Sequence, residues 1–456
     1  MIHINKKNYL YLFGISFLLL AFTAIIWPKE QNQLKTNKLN AMVISTDTDK
    51  LTVRDEQNII YTFSIEKKDY KAGDNLIIEY TGLLDKNKEK QSNTLINITP
   101  VSQDEEDAII PQTADGIFSQ FNILASNKLK EMTLDEKIGQ ILLVRYPEEK
   151  AIEAINKFKV GGFVFFEKDF QDKTSNQVQD MMNNLQKITN IPLLTAVDEE
   201  GGDVVRISSN KKLSAEKFAS PRELYLEGGF DLIKTDTKEK STLLENLGLN
   251  VNLGPVVDVS TNSSDYMYNR TLGENTTLTS EYAKTVISAS KGSGVSYVLK
   301  HFPGYGNNED THEKEVIDTR NFADIEANDL PPFEAGIASG AEAILVSHNI
   351  VQNIDRDNPA SLSPSIHNLL RNNLDFTGVI ITDDLSMKAT SSIENATVKA
   401  LLAGNDIIMT LDYEESFNEI KDAVENNIIS EKLIDNVVHR ILSWKYYKGL
   451  MYERQK

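Results

Sequence analysis

Three side chains stand out because their types and surroundings suit proton transfer and nucleophilic attack. Asp310 and His312 are separated by one residue in a polar loop that glycines flank. A carboxylate beside an imidazole holds one tautomer of the ring and favours its protonated form, which can donate a proton to a leaving oxygen near neutral pH. Asp383 follows the apolar run 379–381. Its ionised carboxylate can attack an anomeric carbon or stabilise a cation there.

Each of these residues also has a structural interpretation. An Asp-x-His pair can lie in a surface loop, and Asp383 can cap the N-terminus of a following helix. Asp384 suits that cap better, because it is one residue nearer to the helix. The surface-loop interpretation is weakened because the chain has only 6 histidines, and His301, His312 and His348 all belong to segments at the ends of apolar runs.

Charged and polar residues follow five apolar runs of the chain. They occupy positions 198–206, 258, 300–312, 347–349 and 383–387. A buried charge is costly unless it is paired, so five such sites together predict one shared polar pocket. Lys300 and His301 lie beside Gly304 and Gly306, which allow a backbone or a ligand to approach closely.

Three further residues supply hydrogen-bonding groups for this pocket. Asp198, Arg206 and Arg270 can bind hydroxyl groups, and a polyhydroxylated ligand requires several such donors and acceptors at once. The pocket therefore favours a sugar over an apolar substrate. Each strand end offers at most one histidine and none has a His-x-His pair, so we expect no catalytic metal.

Composition excludes several other classes of function. The chain has 456 residues and no cysteine, which removes disulfides, thiolate nucleophiles and cysteine zinc sites. Asp and Glu number 67 against 48 Lys and Arg, for a formal net charge of -19. Nucleic-acid binding requires a basic surface, so we expect no nucleic-acid partner. The sequence identifies no protein partner.

The elements that must position these residues follow residue 116, where apolar runs alternate with helical patterns. The predicted strands are 141–144, 162–166, 193–198, 251–257, 297–301, 343–347, 379–383 and 407–410. The predicted helices include 176–188, 237–247, 281–290, 325–339 and 417–426. Eight buried strands with helices between them predict an α/β fold, a (β/α)₈ TIM-type barrel. A doubly wound open sheet is the alternative.

The N-terminal part predicts a membrane anchor and a small all-β domain before the barrel. Residues 9–27 are apolar and uncharged, and lysines precede them, which favours a single transmembrane helix with the rest of the chain extracytoplasmic. A cleaved signal peptide, which would make the protein secreted, is the alternative. The predicted organisation is a cytoplasmic tip and transmembrane anchor (1–27), a stalk (28–38), a small β-barrel or sandwich (39–101), an acidic linker (102–115) and the catalytic barrel (116–456).

The motifs resemble those of glycoside hydrolase family 3, in its single-domain β-N-acetylglucosaminidase branch. The resemblance runs from about residue 132 to near residue 450, and its most specific parts are Lys300-His301-Phe302-Pro303-Gly304, Asp310-x-His312 and Thr382-Asp383-Asp384-Leu385-Ser386-Met387. Many β-glucosidases of the family lack the Asp-x-His loop and take a carboxylate acid/base from another domain. The loop is present here, and little chain follows the eighth strand.

The resemblance implies a role for each matching residue. Asp383 matches the nucleophile, Asp310 and His312 match the acid/base dyad, and Asp198, Arg270, Lys300 and His301 match sugar-binding positions, with Arg206 as a further candidate. It also implies a covalent glycosyl-enzyme, retained anomeric configuration, no cofactor, and release of terminal β-linked N-acetylglucosamine from peptidoglycan fragments or other glycans.

Three positions depart from the family pattern. Tyr305 stands where relatives often carry His, Thr311 replaces the usual Ser, and Asp203 lies where Arg is frequent. None of these changes removes a catalytic group, but Asp203 and Tyr305 leave the aglycone preference open. A β-glucosidase, a glycoside phosphorylase on the same scaffold and a non-catalytic surface glycan-binding protein are the alternative functions.

Overall fold

The computed structural model describes residues 36–47, 49–55, 60–65, 70–72, 74–81, 84, 94–100, 116–306, 310–311 and 314–451. The predicted membrane segment 9–27, almost all of the stalk, the acidic linker and His312 lie outside these residues. Within the described part of the chain, none of the helices combines the length and the apolar character needed to cross a bilayer.

The described part contains fifteen strands. They are β1 (Thr36–Thr46), β2 (Lys50–Asp55), β3 (Ile60–Ser64), β4 (Asn75–Thr81), β5 (Thr94–Pro100), β6 (Leu142–Arg145), β7 (Gly162–Phe165), β8 (Leu194–Val197), β9 (Val251–Asn252), β10 (Ser296–Phe302), β11 (Ile317–Asp318), β12 (Ala343–Val346), β13 (Ile350–Val351), β14 (Val379–Thr382) and β15 (Ile408–Thr410).

Eight of these strands form a parallel barrel in the order β14-β12-β10-β9-β8-β7-β6-β15. A parallel bridge joins Ile381 to Ile407 between the two ends of this order, and the Thr382 amide donates to the Ile407 carbonyl at 3.0 Å. The barrel is therefore nearly closed, and the open-sheet alternative is wrong. All eight predicted strands are present, although the fourth is only the two residues Val251–Asn252.

Helices cover the outside of the barrel. The α-helices are Asn122–Lys130, Leu134–Ile141, Ala151–Asn156, Glu167–Phe170, Ser175–Lys187, Pro221–Asn246, Thr276–Ser290, Phe322–Asn328, Leu330–Ala338, Pro364–Asn368, Ala396–Ala403, Tyr413–Glu425 and Glu431–Tyr447. The helix predicted over 325–339 is two helices, because the first ends at Asn328 and Pro331 and Pro332 occupy the first turn of the next.

The last helix, Glu431–Tyr447, contacts the end of the barrel where the strands begin. Lys445 is fully buried near its C-terminus. The Lys445 ammonium donates to Gln140 Oε1 at 2.6 Å, to the Gly161 carbonyl at 2.9 Å and to the Pro192 carbonyl at 2.7 Å. These acceptors precede β6, β7 and β8, so one side chain joins the starts of three neighbouring strands.

The N-terminal strands form one antiparallel sheet in the order β3-β2-β1-β4-β5. Side chains alternate along a strand, so Ala41 and Val43 belong to the sheet's own apolar cluster, whereas Met42 belongs to the core of the barrel. We expected a small barrel or sandwich, and in the described residues these strands form a single sheet. The sheet begins at Thr36, so residues 36–38 belong to β1 and not to a stalk.

This sheet packs against the same end of the barrel as Lys445. The Ser430 amide donates to the Ala72 carbonyl at 2.6 Å, and the Arg54 guanidinium donates to the Ala403 carbonyl at 3.2 Å. Ala403 ends the helix before β15, and Ser430 lies between the last two helices. The sheet therefore lies opposite the rim where the barrel strands end, which is the rim that carries the active site in barrels of this type.

Candidate active site

Polar side chains gather at the carboxyl ends of five strands, β8, β9, β10, β12 and β14, which are consecutive in the barrel. Asp198 follows β8, Asp258 lies beyond β9, Lys300 and His301 lie near the end of β10, His348 follows β12 and Asp383 follows β14. Because parallel strands end at one rim, these residues share one side of the barrel mouth, as the sequence predicts.

A network of ion pairs connects the predicted sugar-binding residues. Lys300 Nζ lies 2.7 Å from Asp198 Oδ1 and 2.6 Å from Glu200 Oε1. The Arg270 guanidinium donates to both carboxylate oxygens of Glu200, at 2.7 and 3.0 Å. Arg206 Nη2 lies 3.8 Å from Asp198 Oδ2. Lys300 and Glu200 are buried, whereas Asp198, Arg206 and Arg270 are partly exposed and accessible to a ligand.

The charges of this network stabilise one another. Burial alone would raise the pKa of Glu200, but Arg270 and Lys300 hold it well below the usual carboxyl range. Burial would likewise lower the pKa of Lys300, but Asp198 and Glu200 raise it above its ordinary value. Both groups are therefore ionised at neutral pH, and the pocket presents charge-assisted hydrogen bonds to a ligand.

We expect Glu200→Gln to destabilise the fold by about 3–5 kcal/mol, because it leaves two cations without their shared buried carboxylate. Chemical denaturation of the purified protein measures this change. Asp203→Asn is the matched control, because Asp203 lies three residues after Glu200 in the same loop and is exposed. This substitution should change the free energy of unfolding by less than about 0.5 kcal/mol. Equal stability of the two variants would contradict the account of the network.

Asp258 organises the floor of the pocket. Its Oδ2 lies 2.8 Å from His301 Nδ1 and accepts the His301 amide at 3.2 Å. Its Oδ1 accepts the Tyr305 amide at 2.7 Å. All three residues are buried. One carboxylate at the end of the fourth strand therefore fixes the orientation of the His301 ring and the start of the loop that follows β10.

The two glycines of this loop are required by protein contacts. At Gly304 a Cβ atom would lie 2.5 Å from the Asp329 side chain, and at Gly306 it would lie 2.5 Å from the Arg320 guanidinium. Arg320 donates to Asp329 at 2.7 Å. In the described residues, the ion pair of Arg320 and Asp329 therefore lies in the space beside the two glycines.

Asp310 lies close to a tyrosine that borders the sugar-binding network. Burial and, after it, the charge of Asp310 raise the pKa of Tyr266, whereas the charge of Arg270 lowers it, so both charged groups lie near this tyrosine. His312 lies outside the described residues, and its role as general acid/base remains a prediction. The structure does place its predicted dyad partner beside the sugar-binding residues.

Asp383 lies at the end of β14 with its backbone fixed on both sides. The Asp383 amide donates to the Val346 carbonyl at 2.9 Å, and Asp383 Oδ1 accepts the Asp384 amide at 2.9 Å. His348 is fully buried, and its Nε2 lies 3.0 Å from the Asp384 carbonyl oxygen. The turn that carries Asp383 is therefore held by the neighbouring strand end.

Asp384 does not cap a helix. Its Oδ1 accepts the Ser386 amide at 2.9 Å and the Ser386 hydroxyl at 2.6 Å, and the next α-helix begins only at Ala396. The alternative interpretation of this segment as a helix cap is wrong, because a turn-rich segment separates the strand from the helix. Asp384 therefore stabilises the first turn of that segment.

Glu199 folds the loop that carries Arg206 back over the strand end. Its carboxylate accepts the amides of Arg206 and Ile207, each at 2.7 Å, and the amide and hydroxyl of Ser208 at 3.1 and 2.5 Å. The Arg206 guanidinium lies 5.5 Å from the centre of the Phe166 ring. These contacts place Arg206 at the edge of the pocket, next to Asp198.

Sequence reasoning included Glu200 and Asp258 in the predicted pocket but gave neither an individual role, although both accept hydrogen bonds that organise it. Glu200 lies two residues after Asp198 in an acidic run, and Asp258 ends an apolar run. The sequence does not show which residues pair with them, because the partners are distant in the chain. Arg270 is 70 residues from Glu200, and His301 is 43 residues from Asp258.

The fold and the site define a (β/α)₈-barrel enzyme with a charged pocket suited to a polyhydroxylated ligand. The profile of the Glycosyl hydrolase family 3 N terminal domain matches residues 133–444, which is more than half of the chain. The chain belongs to this family and is a glycoside hydrolase, so the family resemblance read from the sequence is confirmed.

Named relatives and a solved structure agree with the assignment to this family. A β-hexosaminidase of Nitrosomonas eutropha is 30% identical over 273 residues, which cover 58% of this chain and 78% of the relative. A β-hexosaminidase of Stenotrophomonas maltophilia is 30% identical over 302 residues, covering 62% and 86%. The structure of a family 3 β-N-acetylglucosaminidase from Paenibacillus is 28% identical with a TM-score of 0.66, covering 71% of this chain and 64% of that protein.

Proposed function

We propose that this protein is a retaining β-N-acetylglucosaminidase that removes terminal β-linked N-acetylglucosamine. The observation that carries the proposal is the connected set of charged groups at the barrel rim, in which Glu200 binds Lys300 and Arg270, and Lys300 also binds Asp198. Such a set can bind several sugar hydroxyls at once. The relatives named β-hexosaminidase support the same activity.

In the proposed reaction, the Asp383 carboxylate attacks the anomeric carbon while the bond from that carbon to the leaving oxygen breaks. His312 donates its proton to the leaving oxygen, and Asp310 stabilises the imidazolium. Water then attacks the anomeric carbon of the glycosyl ester, His312 takes the proton from the water, and the bond to Asp383 breaks. Two displacements at one carbon return the original β configuration.

The proposed substrates are fragments of peptidoglycan, met outside the cytoplasm. The apolar segment 9–27 anchors the chain in the membrane, and the β1–β5 sheet and the barrel lie on the outer side. Protease added to intact cells should then digest the barrel. Protection of the barrel until the cells are lysed would contradict this location.

A comparison of two aryl glycosides tests the sugar specificity directly. We expect kcat/KM of the purified full-length chain for 4-nitrophenyl N-acetyl-β-glucosaminide to exceed that for the β-glucoside by at least about 100-fold, since the glucoside lacks the acetamido group. A preference for the glucoside would contradict the proposal. In phosphate buffer the product should be the free sugar, and a sugar 1-phosphate would instead identify a phosphorylase.

A further inference from the structure

Two of the residues that depart from the family pattern contact each other beside the predicted acid/base loop. The Thr311 amide donates to the Tyr305 hydroxyl oxygen at 2.9 Å, and Thr311 Oγ1 lies 2.8 Å from the same oxygen. Both side chains are buried, with 3% of Tyr305 and 1% of Thr311 exposed. The Tyr305 hydroxyl therefore holds the residue that lies between Asp310 and His312 in the chain.

Tyr305 is itself fixed by the floor of the sugar pocket. Its amide donates to Asp258 Oδ1 at 2.7 Å, and the Asp258 carboxylate also binds the His301 ring. The Tyr305 and His301 rings pack edge to face, with 5.6 Å between the ring centres. A continuous chain of contacts therefore runs from a predicted sugar-binding residue to the backbone of Thr311.

A second tyrosine lies near the neighbouring residue of the loop. The charge of Asp310 contributes to the raised pKa of Tyr266, and the centres of the Tyr266 and Tyr305 rings are 5.9 Å apart. The two tyrosines therefore lie side by side next to the loop. Burial raises the pKa of Tyr305, and the charge of Asp383 adds to this rise. Its hydroxyl is therefore neutral at physiological pH and keeps its proton.

We propose that Tyr305 is a positioning residue, which fixes the acid/base loop through Thr311 so that proton donation to the leaving oxygen is efficient. This inference rests on the proposed function, because it assigns the proton donor to that loop. A hydroxyl that only filled space in the core would affect stability without changing how the rate depends on the leaving group. A positioning hydroxyl changes that dependence.

Tyr305→Phe tests the inference, since it removes the hydroxyl and keeps the ring. Its kcat/KM is measured on two N-acetyl-β-glucosaminides, one with a sugar as leaving group and one with 2,4-dinitrophenolate. The sugar requires protonation as it leaves, whereas dinitrophenolate does not. We expect a loss on the order of tenfold with the sugar leaving group and less than about threefold with dinitrophenolate.

Two further variants separate positioning from general destabilisation. Thr311→Ser retains the hydroxyl and the amide, and it should keep the wild-type ratio of the two rates. Tyr297→Phe is the matched control, because Tyr297 is also buried and its hydroxyl lies 3.0 Å from Ser241 Oγ on the helix Pro221–Asn246. It should lower stability without altering the ratio. Equal losses on both substrates for Tyr305→Phe would overturn the inference.

Hydrogen exchange gives a readout that does not require activity. The Thr311 amide should exchange at least about tenfold faster in Tyr305→Phe than in the wild type, because its acceptor is gone. Unchanged exchange would overturn the inference. If the wild type hydrolyses neither glycoside, the proposed function fails, whereas active wild type with unchanged exchange and rate ratio in the variant removes the positioning role alone.

Discussion

Asp383→Asn should lower kcat/KM for N-acetyl-β-glucosaminides by about four orders of magnitude or more, the scale seen when a catalytic nucleophile is removed. The amide is nearly the same size as the carboxylate but does not attack the anomeric carbon. Asp384→Asn is the matched control at the next residue. Its Oδ1 still accepts the Ser386 bonds, so activity should fall by less than about tenfold. Comparable losses in the two variants would contradict the assignment.

A small anion provides a second test of the same residue. Asp383→Ala opens space beside the anomeric carbon, and azide can occupy that space and attack in place of the carboxylate. We expect azide to restore turnover of the dinitrophenyl glycoside and to give the α-glycosyl azide, because a single displacement inverts the configuration. A β-glycosyl azide would show that another group still forms the intermediate.

His312→Ala should lower kcat/KM for a sugar leaving group by about 10²–10⁴-fold, the usual contribution of general acid catalysis. The loss should be much smaller for dinitrophenolate, because that leaving group requires no proton. Steady-state kinetics of the purified variant on both glycosides measure the difference. This ratio also sets the upper limit for the effect of Tyr305→Phe. Equal losses on both substrates would mean that His312 binds or folds the site and does not transfer the proton.

The barrel could be predicted because its strands are buried on both faces and read as short apolar runs. Two elements differ from what the sequence predicted. Only Val251–Asn252 of the predicted strand 251–257 forms a continuous strand, and beyond it Val256 pairs with Lys300 only through an isolated bridge. The final helix, Glu431–Tyr447, was not among the helices named from the sequence.

The site residues could be predicted as members of one pocket, but their partners could not. Asp198, Arg206, Arg270 and Lys300 do lie in one network. The sequence gives no sign that Glu200 pairs with two of them, because ion pairs between distant segments depend on how strands are ordered around the barrel. The glycines at 304 and 306 suggested the approach of a backbone or a ligand. The space beside them is instead filled by the side chains of Asp329 and Arg320.

The most direct test of the proposed mechanism is to trap the glycosyl-enzyme. A 5-fluoro-N-acetylglucosaminyl fluoride should react through its good leaving group, while the ring fluorine slows release of the sugar by destabilising the cationic transition state. Mass spectrometry should then show one added fluorosugar, located on the peptide that carries Asp383 and absent from the Asp383→Asn variant. A label on another carboxylate, or turnover with inversion of configuration, would contradict the account.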